Sequence, residues 1–114
     1  MLWVVPEYNY SIPGVLKNAI DWLPRVDKVM VGKSSWLVGA SMGALGTVRA
    51  QSHMREVLFA PGVSSPVLPG NEVYVRAVKD KLDAEGNLVH EPTAQFLDKV
   101  VDNFMSWYGK LPRD

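Results

Sequence analysis

Two short stretches hold the residues best suited to bind a ligand. The first is Pro6-Glu7-Tyr8-Asn9-Tyr10-Ser11-Ile12-Pro13-Gly14, which follows the apolar run Leu2 to Val5. Its aromatics offer flat surfaces, and a turn of this composition exposes backbone N–H groups that a planar heterocycle could use. The second is Gly39-Ala40-Ser41-Met42-Gly43, with Gly46 just beyond, at the end of the apolar run Ser35 to Ala40. Glycine lets the backbone approach a ligand closely, and the helix expected next presents an N-terminus that favours negative charge. Strand–turn–helix junctions also recruit such residues for geometry alone. The second stretch fits neither the dinucleotide fingerprint nor the P-loop, since no Lys-Ser or Lys-Thr follows its glycines.

Other residues offer less. Glu7 is the obvious candidate for a catalytic base, but a structural or solvent-facing role is the preferred reading. His53 and His90 stand apart in the sequence and are expected at surface or oligomer contacts rather than as metal ligands. The chain has no cysteine, which excludes disulfides, thiolate catalysis and Cys-ligated metal sites. Redox chemistry would therefore have to come from a bound cofactor.

The elements that must position these stretches follow from apolar spacing. Leu2 to Val5, ending at Pro6, reads as a strand buried on both faces. Ser11 is expected to cap a helix with Pro13 in its first turn and an apolar face of Val15, Leu16, Ala19, Ile20 and Leu23. Pro24 ends that helix. A second strand is expected over Ser35 to Ala40, then a helix over Thr47 to Phe59, broken by Pro61-Gly62. Val63 to Leu68 reads as a third, weaker strand, placed at an edge by Pro66. Asn71 to Val78 reads as extended or irregular, and 83–87 as a solvated turn. Thr93 is expected to cap a last helix whose apolar positions are Leu97, Val100, Val101, Phe104 and Tyr108. The four tryptophans are expected in the core or at interfaces, with Trp22 and Trp107 as candidates for subunit contacts. Strand–helix alternation of this kind implies an α/β fold with a parallel sheet, where ligands sit beyond the carboxyl ends of the strands.

Composition sets the bounds. The 114 residues fit one small domain, 47% hydrophobic and 21% charged, with enough apolar material for a core. Twelve basic and twelve acidic residues balance, and no basic run stands out, so nucleic acid and acidic membrane surfaces are not expected partners. No apolar stretch could span a bilayer, and the N-terminus lacks a signal-peptide pattern. A cytoplasmic location is expected.

The run from Pro6 to Leu23, PEYNYSIPGVLKNAIDWL, closely resembles the signature of the NADPH-dependent FMN reductase family, which includes chromate, quinone and azo-dye reductases. The likeness continues more loosely through Gly39-Ala40-Ser41, Arg49-Ala50-Gln51 and Arg55, and reaches the last helix. It implies a partial flavodoxin-like fold, strands three to five of the order 2-1-3-4-5, with residues 1–114 as a single truncated domain. It implies FMN as cofactor and NAD(P)H as co-substrate, the flavin passing electrons to a quinone, azo, metal-oxyanion or free-flavin acceptor. Pro6, Glu7, Tyr8 and Asn9 would lie against the flavin ring near N5 and O4, and Ser41, Met42 and Gly43 near its pyrimidine edge. No side chain is assigned as a catalytic acid or base.

The family's usual loop, of the form Gly-Ser-x-Arg-x-x-Ser-x-Asn, wraps the FMN phosphate, and no such loop occurs in this sequence. Phosphate contacts are worth about 1.5–3 kcal/mol each when desolvated, so weak FMN binding is expected of this chain alone. Its first strand is expected to be an exposed apolar edge, which favours a homodimer or homotetramer. The competing expectation is a catalytically crippled fragment that acts as an oligomerising or interaction module.

Overall fold

The computed structural model describes residues 1–112. Three parallel strands form one sheet in the order β1 (Leu2–Val4), β2 (Trp36–Ala40), β3 (Val73–Val75). Leu2, Trp3 and Val4 pair with Trp36, Leu37 and Val38, while Val38, Gly39 and Ala40 pair with Val73, Tyr74 and Val75. The connections carry α1 (Gly14–Trp22) and α2 (Val48–Phe59), and α3 (Glu91–Lys110) closes the chain after a 3-10 turn at Val78–Lys81. The α/β architecture expected from the sequence is the one observed.

Alternation along β2 divides the core. Leu37 joins Val5, Ile20, Met30, Ala50, Met54, Leu58 and Val63 in one cluster beneath α1 and α2. Trp36 joins Leu68, Val73 and Val100 in another, packed by Val38, Val75, Leu97, Phe104 and Trp107. A strand covered on both faces must be apolar at successive positions, as Trp36-Leu37-Val38 is. Gly39 follows because α2 crosses there. A Cβ at Gly39 would lie 1.8 Å from Thr47 Oγ1 and 2.9 Å from the Val5 carbonyl oxygen.

Several sequence expectations are corrected. The third strand is Val73–Val75, not Val63 to Leu68. Only a single parallel bridge, Ser35 to Val67, forms in the latter segment. Pro66 there has no N–H to donate, and Ser65 turns its hydroxyl inward to Ser35 Oγ and the Lys33 carbonyl, each at 2.5 Å. Helix α1 starts at Gly14 with Pro13 as its N-cap and no side-chain cap. Ser11 instead bonds His53 Nδ1 at 2.9 Å. Only Leu16 and Ile20 of the expected α1 face pack on the core, whereas Val15, Ala19 and Leu23 are exposed. The cap of α3 is His90, whose Nδ1 accepts from the Thr93 N–H at 3.3 Å. On the α3 face Phe104 meets both Tyr108, 6.1 Å away between ring centroids, and Trp107, 6.0 Å away, whereas Val101 is exposed. Trp22 is 68% exposed.

The edge expectation matches what is observed. Among the described residues β1 has no strand on its outer side, but Leu2 and Val4, on one face, are 54% and 68% exposed, so β1 is not buried on both faces as expected. Among the described residues, no helix is long and apolar enough to cross a membrane.

Candidate functional site

Both loops singled out in the sequence lie beyond the carboxyl ends of β1 and β2. These strands are paired neighbours, so the loops they feed sit side by side at one end of the sheet. The first loop turns back on itself at Tyr8 to Ser11. Tyr8 N donates to the Ser11 carbonyl at 2.8 Å, and Ser11 N to the Tyr8 carbonyl at 3.1 Å. The two residues between, Asn9 and Tyr10, have φ of 49° and 72°, the left-handed pair of a type I′ turn. Tyr8, Asn9 and Tyr10 are exposed, as is Pro6. The N–H groups of Asn9 and Tyr10 have no hydrogen-bond acceptor among the described residues.

Glu7 does not present its carboxylate as a free base. Oε1 accepts from the backbone N–H of Arg49 at 3.0 Å and of Ala50 at 3.1 Å. The first turn of α2 holds no acidic residue, and its N-cap Thr47 makes no side-chain cap bond. Glu7 therefore satisfies from outside the donors that every helix N-terminus leaves open. Oε2 lies 3.8 Å from an Arg49 guanidinium nitrogen, and the same guanidinium stacks 4.1 Å from the centroid of the Tyr10 ring.

The second loop is organised by Ser41. Its hydroxyl accepts from Gly46 N at 3.0 Å and donates to the Gly43 carbonyl at 3.3 Å. The segment after β3 holds it from below: Ser41 N donates to the Val75 carbonyl, Ala77 N to that of Gly43 and Val78 N to that of Ser41, at 2.9–3.0 Å. Gly46 has φ +57°, and a Cβ there would meet the Tyr74 backbone at 2.6 Å. The Tyr74 phenol has its pKa pushed up, first by burial, with the Arg55 charge acting the other way. Met42 and Gly43 are exposed. Nothing surrounds the position of a Cβ on Gly43, and the N–H groups of Met42, Gly43 and Ala44 have no acceptor among the described residues.

The structure thus brings Pro6, Glu7, Tyr8 and Asn9 to the same end of the sheet as Ser41, Met42 and Gly43. It also gives partners to two residues whose roles the sequence did not show: Arg49, reached by the loose resemblance, and His53, expected and found at the surface. Arg49 bridges Glu7 and Tyr10, and His53 fastens Ser11. The signal for both is their i, i+4 spacing, which places them on one face of α2, but their partners lie about forty residues away.

A parallel α/β sheet with helices on its connections and two loops with free N–H donors at its carboxyl end is a flavodoxin-like architecture. The chain matches the NADPH-dependent FMN reductase family over residues 1–80 and belongs to that family. It is 41% identical over 109 residues to 2-hydroxy-1,4-benzoquinone reductase of Burkholderia sp, covering 94% of this chain and 58% of that protein. It is 37% identical over 112 residues to an NAD(P)H-dependent FMN reductase of Pseudomonas aeruginosa, covering 97% and 60%. Among solved structures, it resembles the flavoenzyme NAD(P)H:(acceptor) oxidoreductase of Paracoccus denitrificans with a TM-score of 0.83 and 34% identity, covering 96% of this chain and 60% of that one. The chain spans about three fifths of the length of these relatives.

Proposed function

We propose that the protein is an NAD(P)H-dependent flavin oxidoreductase that binds FMN and passes electrons to a small-molecule acceptor of the quinone, azo, metal-oxyanion or free-flavin kind. The observation that carries this reading is the row of unbonded N–H groups on the two loops. A flavin ring presents carbonyl oxygens and ring nitrogens along one edge, and donors at Asn9, Tyr10, Met42, Gly43 and Ala44 suit that edge. FMN, when bound, supplies the two-electron chemistry. The chain's own contribution is to orient the ring: Tyr8 and Asn9 from one loop, and Met42 and Gly43 from a loop that Ser41 ties, with Pro6 fixing where the first loop leaves β1. Fixed N–H donors also stabilise negative charge on an electron-rich ring without reorganising. No side chain in either loop has to take or give a proton. On this reading residues 1–114 form part of one flavodoxin-like domain.

Exposure of Leu2 and Val4 along the free edge of β1 supports a second element of the proposal, a cytoplasmic homodimer or homotetramer in which that edge is covered. The same edge supports the alternative reading of an interaction module without catalysis. Titration of the purified protein with FMN separates the two. The oxidoreductase reading expects a yellow complex absorbing at about 450 nm that oxidises NAD(P)H when a quinone is added. A protein that stays colourless and leaves FMN fluorescence unchanged is not an FMN reductase.

A further inference from the structure

The flavin reading leaves unexplained why an exposed turn should be held at two left-handed residues that are not glycine. Asn9 and Tyr10 both adopt that conformation, which L side chains disfavour and which persists only where surrounding structure over-determines it. The turn's own closure is a single pair of backbone bonds between Tyr8 and Ser11. What over-determines it comes from α2. Glu7, just before the turn, is held by the Arg49 and Ala50 N–H groups and faces the Arg49 guanidinium. The Tyr10 ring, inside the turn, lies under that guanidinium. Ser11, just after the turn, bonds His53 one turn further along the helix.

We infer that Glu7 and Arg49 form a clasp that positions the flavin-contacting turn, with Arg49 as its central positioning residue; this rests on the flavin reading above. The clasp locks the first loop to the helix that emerges from the second loop, so the two sets of N–H donors are held as one rigid array. Glu7 acts through its contacts with α2, and its carboxylate is not offered to the ring. Arg49 closes the arrangement from the other side. One guanidinium nitrogen lies 3.8 Å from Glu7 Oε2 while the plane lies over the Tyr10 ring, and a lysine ammonium has no flat face to stack on that ring.

Two measurements on the same protein test this: backbone amide exchange without flavin, and FMN affinity by fluorescence. Arg49→Met is expected to speed exchange of the Tyr8 and Ser11 amides by about tenfold while the Val5 amide, bonded to Val38, stays protected. FMN affinity is expected to fall by about tenfold as well, because the array is no longer pre-organised. Arg49→Lys should fall between. Glu7→Gln, which keeps an acceptor for the helix N–H groups, should be milder than Glu7→Ala. Unchanged Tyr8 and Ser11 exchange in both Arg49→Met and Glu7→Ala overturns the clasp. Faster exchange with unaltered FMN affinity overturns its part in positioning the flavin. If the unsubstituted protein binds no FMN, the flavin reading fails by itself, and the exchange rates still decide whether the clasp exists.

Discussion

At the scale of single residues, Gly39 is the position where the chain tolerates least. Its missing side chain makes room for Thr47, for Gln51 Nε2 at 2.8 Å and for the Val5 carbonyl. The first is the N-cap of α2, the second lies within α2, and the third is backbone that cannot swing aside. Gly39→Ala is expected to destabilise the fold by about 3 kcal/mol or more through overpacking, read as a drop in the urea midpoint with an unchanged slope. Asp83 behaves differently. It sits in a turn, and its carboxylate accepts from Asn87 Nδ2 at 3.0 Å, from Asn87 N at 2.8 Å and from Glu85 N at 3.0 Å. These bonds, the Asn87 side chain's first among them, hold its pKa below the ordinary 3.8. A carboxyl with a lowered folded pKa lends stability above its unfolded value and loses it as pH falls through the folded one. The turn at 83–87 should therefore loosen only in acid below 3.8. An NMR titration of the Asp83 carboxyl should show its midpoint below that of a free aspartate, and Asp83→Asn should abolish the acid transition at the turn.

At the scale of elements, the helices divide by what they bury. Leu58 and Met54 of α2 are fully buried, so Leu58→Ala is expected to cost about 3 kcal/mol in equilibrium unfolding. The two helix-borne tryptophans should differ in the same assay. Trp107→Ala removes a ring that packs with Phe104 against the β2 and β3 face and should cost about 2 kcal/mol, while Trp22→Ala at an exposed site should stay within about 0.5 kcal/mol. Sequence reading found α2 because it is long enough to show its period, and β2 because a strand covered on both faces is an unbroken apolar run. It read the segment holding β3 only as extended or irregular, since three residues between Glu72 and Arg76 carry no period, and set the third strand at Val63 to Leu68, where Ser65 is buried by side-chain bonds instead of strand pairing. The two candidate loops were legible from their position after β1 and β2, the first also from its aromatics and the second from its glycines. Their fastening was not, because Glu7 meets Arg49, and Ser11 meets His53, only after the sheet has brought distant segments together. His90 was likewise hidden as a cap, since histidine is an uncommon residue there.

At the scale of the whole molecule, β1 is an edge strand of the sheet among the described residues, and apolar side chains also stand outward on the first connection. Val26 is 93% exposed and Trp22 68%. If the β1 edge is where copies meet, Val4→Lys should shift the species seen by sedimentation velocity toward the monomer while leaving the far-UV spectrum unchanged, since a charged edge residue blocks strand addition. A species distribution identical to that of the parent protein would place the association surface elsewhere.

The cap that Glu7 supplies to α2 has a consequence for the order in which the molecule assembles. Residue 7 and the amides of residues 49 and 50 are separated by some forty positions, and between them lie the whole of α1 and β2. The first turn of α2 thus cannot be completed by local events, however fast its later turns wind up. It must wait until the β1 loop has closed onto it, so the docking of β1 against β2 and the finishing of α2 become a single cooperative event. Chain closure over such a distance slows folding. It also means that a nick or frayed segment at the start of the chain would be felt first as unwinding at the N-terminal end of a helix in the middle of it.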